Sequence, residues 1–300
     1  DCNASDIIDV TNANVWMEID QGTYAAAQGT PPALPPGMYD IIDTFSGPIF
    51  KRVPTNSEQL VQFDDALYLS VMRDIERFWK CRDIFANHGM TYKRGILLHG
   101  PPGTGKSCLT RMLVDDVIQR GGIGVMFSSS GAYVKGMNIL RKVQPDVPVI
   151  VVMEDIDAIL ARSDESHVLN VLDGVYRIDN VVYLATTNYP QLLGERIKNR
   201  PSRFDRRISI GYPGAAMRKQ YLTNINRMGL LTPDVIDAWV ADTDGLTLAH
   251  IRELFVSVVI LEKSYDETLS ELRSMYSACT EEPLLKLGGD ANECECSACV

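Results

Sequence analysis

Apolar positions along the chain follow two different periods. From Gly95 onward, short apolar runs alternate with longer stretches in which apolar residues fall three and four apart. The runs are Ile96–Leu98, Val125–Phe127, Val149–Met153, Val181–Ala185 and Ile208–Ile210. Runs of this length without polar alternation predict strands buried on both faces. Strands separated by helical stretches predict an α/β fold, a five-stranded parallel sheet covered by helices. After Gly211-Tyr212-Pro213-Gly214 the strand pattern stops. Met217, Tyr221, Ile225 and Met228 mark one helix, Thr232-Pro233 caps the next, and Ile251, Leu254, Phe255, Val258 and Val259 mark a third. This reads as a small all-helical unit behind the α/β unit.

Before Gly95 the pattern is weaker. Leu67, Val71, Ile75, Phe78 and Trp79 share one face of a helix over 64–80. MYDIIDTFSGPIFKRV, residues 38–53, predicts two short strands around Ser46-Gly47-Pro48. Residues 1 to about 37 carry Asn, Thr and Gly and end in a Pro-rich run, which predicts a partly ordered segment and a stiff linker. The expected domains are therefore an N-terminal segment (1–55), an α/β domain (56–212), a helical lid (213–280) and a disordered tail (281–300).

Composition narrows the function classes. The chain is 45% hydrophobic and 23% charged, as globular domains are, and no apolar run is long enough for a membrane span. A net charge of −10 argues against sequence-independent binding of nucleic acid over the whole surface, because phosphate contacts need Lys and Arg. No signal peptide is visible in the polar, acidic first residues, and the sequence does not begin with Met, which leaves room for an upstream anchor. Seven cysteines without a disulfide framework fit a reduced, intracellular and cytoplasmic setting. Cys294, Cys296 and Cys299 in the tail lack an evident fourth zinc ligand, so a tail without fixed metal is expected.

The chemistry is carried by GPPGTGKS, residues 100–107, which fits G-x-x-x-x-G-K-[ST] between a predicted strand and a predicted helix. Gly100, Gly103 and Gly105 let backbone N–H groups converge on phosphate oxygens, and the helix N-terminus adds partial positive charge. Lys106 reaches the β- and γ-phosphates, and the Ser107 hydroxyl ligates Mg²⁺. A nucleotide site also needs acids at a neighbouring strand tip, and VIVVM runs straight into Glu154-Asp155, with Asp157 fitting a helix cap. The strand Val181–Ala185 continues into Thr186-Thr187-Asn188, where Asn188 either holds a water near the γ-phosphate or serves as a turn residue before Pro190. RPSRFDRR, residues 200–207, crowds Arg200, Arg203, Arg206 and Arg207 together, as a solvated basic patch or as arginine fingers.

In this order the motifs resemble the AAA branch of AAA+ ATPases over roughly residues 90–260. GPPGTGKS, with the flanking Cys108, is similar to Walker A, including Pro101, Pro102 and Thr104. VIVVMED is similar to Walker B, and ATTN (185–188) to sensor 1. NRPSRFDRR resembles the second region of homology, with Arg200 and Arg203 at its two finger positions, and LNVLDGV (169–175) also fits. The resemblance implies a P-loop NTPase module that binds ATP and Mg²⁺, hydrolyses the γ-phosphate, and assembles with copies of itself into a ring, a hexamer. Its partner would be an unidentified protein that it remodels. Ser107, Glu154 and Asp155 would hold the metal. By position, Glu154 takes the Mg²⁺ side and Asp155 polarises water, although the two could exchange roles. The Glu-Asp order, where the family usually has Asp-Glu, is similar to the subgroup containing the mitochondrial Rieske-protein translocase and its bacterial relatives. By the same resemblance Ala249, in GLTLAHIREL, lies near the adenine, with a buried helix face as the alternative, Arg252 is a candidate sensor arginine, and Tyr133-Val134-Lys135-Gly136 form a pore loop unless Tyr133 is simply a packed or surface residue. The rival reading is a nucleotide-gated assembly module with negligible turnover.

Overall fold

The computed structural model describes residues 15–27, 33–54, 66–162, 165–198 and 200–281. The Cys294, Cys296 and Cys299 expectation lies outside these residues. Contacts divide the chain between Leu248 and Ala249 into two units.

The larger unit is built on one nine-stranded sheet. Five of its parallel strands are β5 (Lys93–His99), β6 (Ile123–Met126), β7 (Val149–Met153), β8 (Val181–Thr187) and β9 (Arg206–Ser209). Each overlaps one of the five apolar runs, although β9 starts two residues before Ile208 and ends before Ile210, and β6 ends before Phe127. Every residue of β7 and β8 is buried, so the sheet is covered on both faces here. β7 and β8 lie in register from Val149 opposite Val181 to Met153 opposite Ala185, and β5 and β8 from Lys93 opposite Val181 to His99 opposite Thr187. All three central strands therefore end on one edge. Helices α1 (Ala66–Trp79), α2 (Arg82–Asn87), α3 (Lys106–Gln119), α4 (Ser130–Val143), α5 (Ile156–Arg162), α6 (Glu165–Asp173) and α7 (Glu195–Lys198) belong to the same unit, as do α8 (Ala215–Ile225) and α9 (Pro233–Asp242).

The sheet does not stop at its fifth strand. β3 (Gly37–Thr44) pairs in parallel with β6, and β4 (Gly47–Arg52) closes the expected hairpin against β3. A second hairpin, β1 (Val15–Asp20) and β2 (Thr23–Ala27), continues it antiparallel within the stretch read as a partly ordered segment. Packing accounts for these outer strands. Trp16, Tyr39, Ile41 and Phe50 share one core with Tyr133, Met137 and Leu140 of α4. The Trp16 and Phe50 rings meet edge to face at 4.6 Å. Gln144, just past the end of α4, accepts both the Trp16 indole N–H and the Leu34 amide through Oε1, each at 2.8 Å. Gly136 lets α4 approach closely, since a Cβ there would come within 2.5 Å of Ile41.

The smaller unit contains α10, which runs over Leu248–Phe255, a π-helical turn at Val256–Ile260, and α11 (Tyr265–Glu281). Among the described residues no helix is long and apolar enough to cross a membrane.

Candidate active site

The phosphate loop joins the end of β5 to the start of α3. Gly100, Gly103 and Gly105 all have positive φ, at 149°, 74° and 103°. At Gly100 a side chain is excluded twice over, because a Cβ would also sit 2.1 Å from the Ile210 carbonyl oxygen. Gly105 opens α3 in the left-handed conformation with no side chain capping the first amides, the arrangement that favours an anion. Tyr68 of α1 donates its hydroxyl to the Gly105 carbonyl at 3.3 Å. Thr104 ties the loop to the Pro101 carbonyl at 2.9 Å.

Lys106 is buried and donates Nζ to the carbonyls of Gly100 and Pro101, at 2.8 and 2.7 Å. Burial lowers its pKa, and the charge of Asp155 opposes the shift. Lys106 and Asp155 thus face each other electrostatically. His99 beside the loop is also lowered, by burial first and then by Arg207 and Lys106. Ser107 is exposed at the first turn of α3, and burial raises the pKa of the adjoining Cys108 thiol.

Glu154 and Asp155 form the exposed turn after β7. Asp155 is left-handed, at φ 47°, a conformation costing an ordinary residue about 1 kcal/mol and one that Asp tolerates better than most. Its amide donates to the Thr186 hydroxyl oxygen at 3.1 Å, and its carboxylate accepts from Asn188 Nδ2 at 3.4 Å. Asp157 sits in the first turn of α5, where it accepts the Thr187 hydroxyl at 2.6 Å. Thr187 in turn accepts the Tyr189 amide at 3.0 Å. The phosphate loop, the acid pair and Asn188 therefore share one sheet edge. Ser107, Glu154 and Asp155 offer only oxygen donors, which suit a hard cation such as Mg²⁺.

The arginine-rich segment is held to α6. Arg203, 4% exposed, grips Asp173 with Nε and Nη2, at 2.9 and 2.8 Å, and also donates to the Arg196 carbonyl. These bonds, led by Arg203, hold the Asp173 carboxyl below its usual range. Arg200 contacts the same carboxylate at 3.3 Å but keeps a 62% exposed side chain. Lys93 bridges the Leu172 and Ser202 carbonyls, and Asp205 accepts the Gly95 amide at 2.7 Å. Sequence reasoning did not reach the roles of Lys93, Gly95, Asp173, Thr186 and Thr187. LNVLDGV was the one available signal for Asp173.

The pore-loop expectation fails. Tyr133 to Gly136 lie inside α4, and Tyr133 is buried with its hydroxyl 3.0 Å from that of Tyr183. Its ring packs against Phe127 and Tyr183 in the core, which suits the packed role and not a pore loop, while the exposed Lys135 pairs with Asp43 at 2.6 Å. Ala249 and Arg252 are exposed on α10.

Residues 96–212 match the family described as "ATPase family associated with various cellular activities (AAA)". The chain carries an AAA ATPase domain. Its relatives fit that reading. "Protein SAV" of Sulfolobus acidocaldarius is 30% identical over 63% of this chain and 27% of its own length. "ATP-dependent zinc metalloprotease FtsH 2" of Sphaerobacter thermophilus is 30% identical over 68% of this chain and 34% of its own. "Cell division cycle protein 48 homolog" of Archaeoglobus fulgidus is 30% identical over 60% of this chain and 27% of its own. The chain thus spans about a third or less of the length of these relatives.

Proposed function

We propose that the chain hydrolyses ATP with Mg²⁺ as one subunit of a ring, a hexamer, and uses the cycle to remodel a protein partner. The observation that carries this reading is the meeting of Asp155 and Asn188 at the sheet edge that also bears the phosphate loop. Backbone amides of residues 100–105 and Lys106 hold the phosphates. Asn188 positions a water, and Asp155 takes its proton as the water oxygen bonds to the γ-phosphorus. The bond from that phosphorus to the β–γ bridging oxygen breaks, leaving ADP and phosphate. Ser107 and Glu154 lie on the side where Mg²⁺ would be held, with Asp155 adjacent. When bound, the ion offsets negative charge on the β- and γ-oxygens.

Arg200 and Arg203 divide the second arginine role. Arg203 is enclosed by its own chain and sets the turn, whereas Arg200 presents an exposed guanidinium that a neighbouring subunit's γ-phosphate can draw away from Asp173. The Glu154-Asp155 order and the short segment between β6 and β7 favour the Glu-Asp subgroup named above. Residues 213–280 act as the helical lid, Ala249 is the candidate adenine neighbour, and the setting is intracellular.

The test is ATPase rate per subunit against protein concentration. The rate should rise to a plateau as rings form, and Arg200→Ala should lower the plateau by roughly 10³-fold. A rate independent of concentration and indifferent to Arg200 would sink the ring mechanism.

A further inference from the structure

We propose that Thr186 is a positioning residue for hydrolysis: its hydroxyl oxygen, by accepting the Asp155 amide, holds the left-handed turn that directs the Asp155 carboxylate toward Asn188. The inference rests on the hydrolytic reading of the site and deepens it.

Four non-glycine residues have positive φ among those described, and Asp155 is the one at the phosphate site. A regular strand would send Glu154 and Asp155 to opposite faces. The reversal at Asp155 breaks that alternation, and of the two acids it is Asp155 whose charge acts on Lys106. Something must hold a backbone turned this way. The Thr186 hydroxyl lies 3.1 Å from the Asp155 amide nitrogen and comes from the neighbouring strand, beyond the last β7–β8 pair, Met153 with Ala185. Thr186 is 4% exposed, so water is a poor substitute for it. The next residue secures the far side of the same turn, with Thr187 donating to Asp157 at 2.6 Å. β8 thereby fixes both Asn188, at its own tip, and the acid that Asn188 meets. Valine has nearly the shape of threonine but accepts no hydrogen bond, which isolates the hydroxyl.

The test compares Thr186→Val, Thr186→Ala and Thr186→Ser with the wild-type chain in ATPase, ADP affinity and melting assays. Val and Ala should lower kcat roughly 10-fold or more, with ADP affinity held within about twofold and the serine variant restored to within about threefold. Because Thr186 acts through Asp155, adding Thr186→Val to Asp155→Asn should change the residual single-turnover rate by less than about twofold. Wild-type kcat in both hydroxyl-less variants would overturn the inference. So would an equal fractional loss in the Asp155→Asn background, or loss of the fold in both variants. A wild-type chain that binds ATP but never turns it over would overturn the hydrolytic reading itself, an outcome distinct from these.

Discussion

Gly95 shows how one missing side chain can govern a remote loop. A Cβ there would lie 2.0 Å from the Arg203 carbonyl oxygen and 2.9 Å from its carbon. Neither atom can swing aside, since both belong to the backbone of the arginine turn. Gly95→Ala should therefore push the Arg200–Arg203 turn off β5. The expected result is a roughly 10-fold loss of ATPase rate with little change in ADP affinity, measured by steady-state kinetics and titration. Asp173 anchors the other side of the turn. Asp173→Asn leaves the buried Arg203 short of a counter-charge and should cost about 3 kcal/mol in denaturant unfolding. The folded-state pKa of Asp173 is depressed, so its stabilisation is present above the unfolded value near pH 4 and fades as pH falls through the lowered one. The Asn variant should lack that part of the acid limb. Neither residue was legible as a partner of Arg203, because the Asp173–Arg203 pair spans thirty positions and no local pattern encodes it. Lys106 and its glycines were legible because the phosphate loop is a contiguous strand, turn and helix start.

At the scale of elements, the same contrast separates the inner strands from the outer ones. β7 and β8 were readable because strands buried on two faces must be apolar along their length, whereas β9, at the sheet edge, shows only Ile208 buried. β1 and β2 offer no such run. Their sequences, VWMEID and TYAAA, carry charge or alanine, and Met17 and Ile19 remain exposed. They form strands because Trp16 finds a place beside Phe50 and because α4 covers that face, both long-range facts. Gln144 is the hinge of this arrangement. Gln144→Leu strips the acceptor from Trp16 Nε1 and Leu34 N and should destabilise the outer hairpin by about 2 kcal/mol. Hydrogen exchange should quicken in β1 and β2 while nucleotide affinity is unchanged. The Tyr133 expectation failed for a related reason. Tyr133 lies on the buried side of an amphipathic helix, and its hydroxyl meets that of Tyr183 in β8, fifty positions away, a contact that no local pattern encodes.

For the molecule as a whole, the architecture argues for shared catalysis. The phosphate loop, the acid pair and Asn188 lie together in one subunit, while Arg200 keeps most of its side chain in solvent. On the proposed reading a neighbouring subunit completes the site, which requires a head-to-tail interface, and such an interface makes a ring where its rotation closes. Mixing two defective chains tests this most directly. Asp155→Asn keeps Arg200 but lacks the water-polarising acid, and Arg200→Ala keeps the acid but lacks the outward guanidinium. If the arginine acts across subunits, equal mixing should restore roughly a quarter of the wild-type rate per subunit, the fraction of interfaces at which an intact acid meets an intact arginine. A mixture no more active than the mean of its two inactive components, in rings shown by size to have exchanged subunits, would contradict the account.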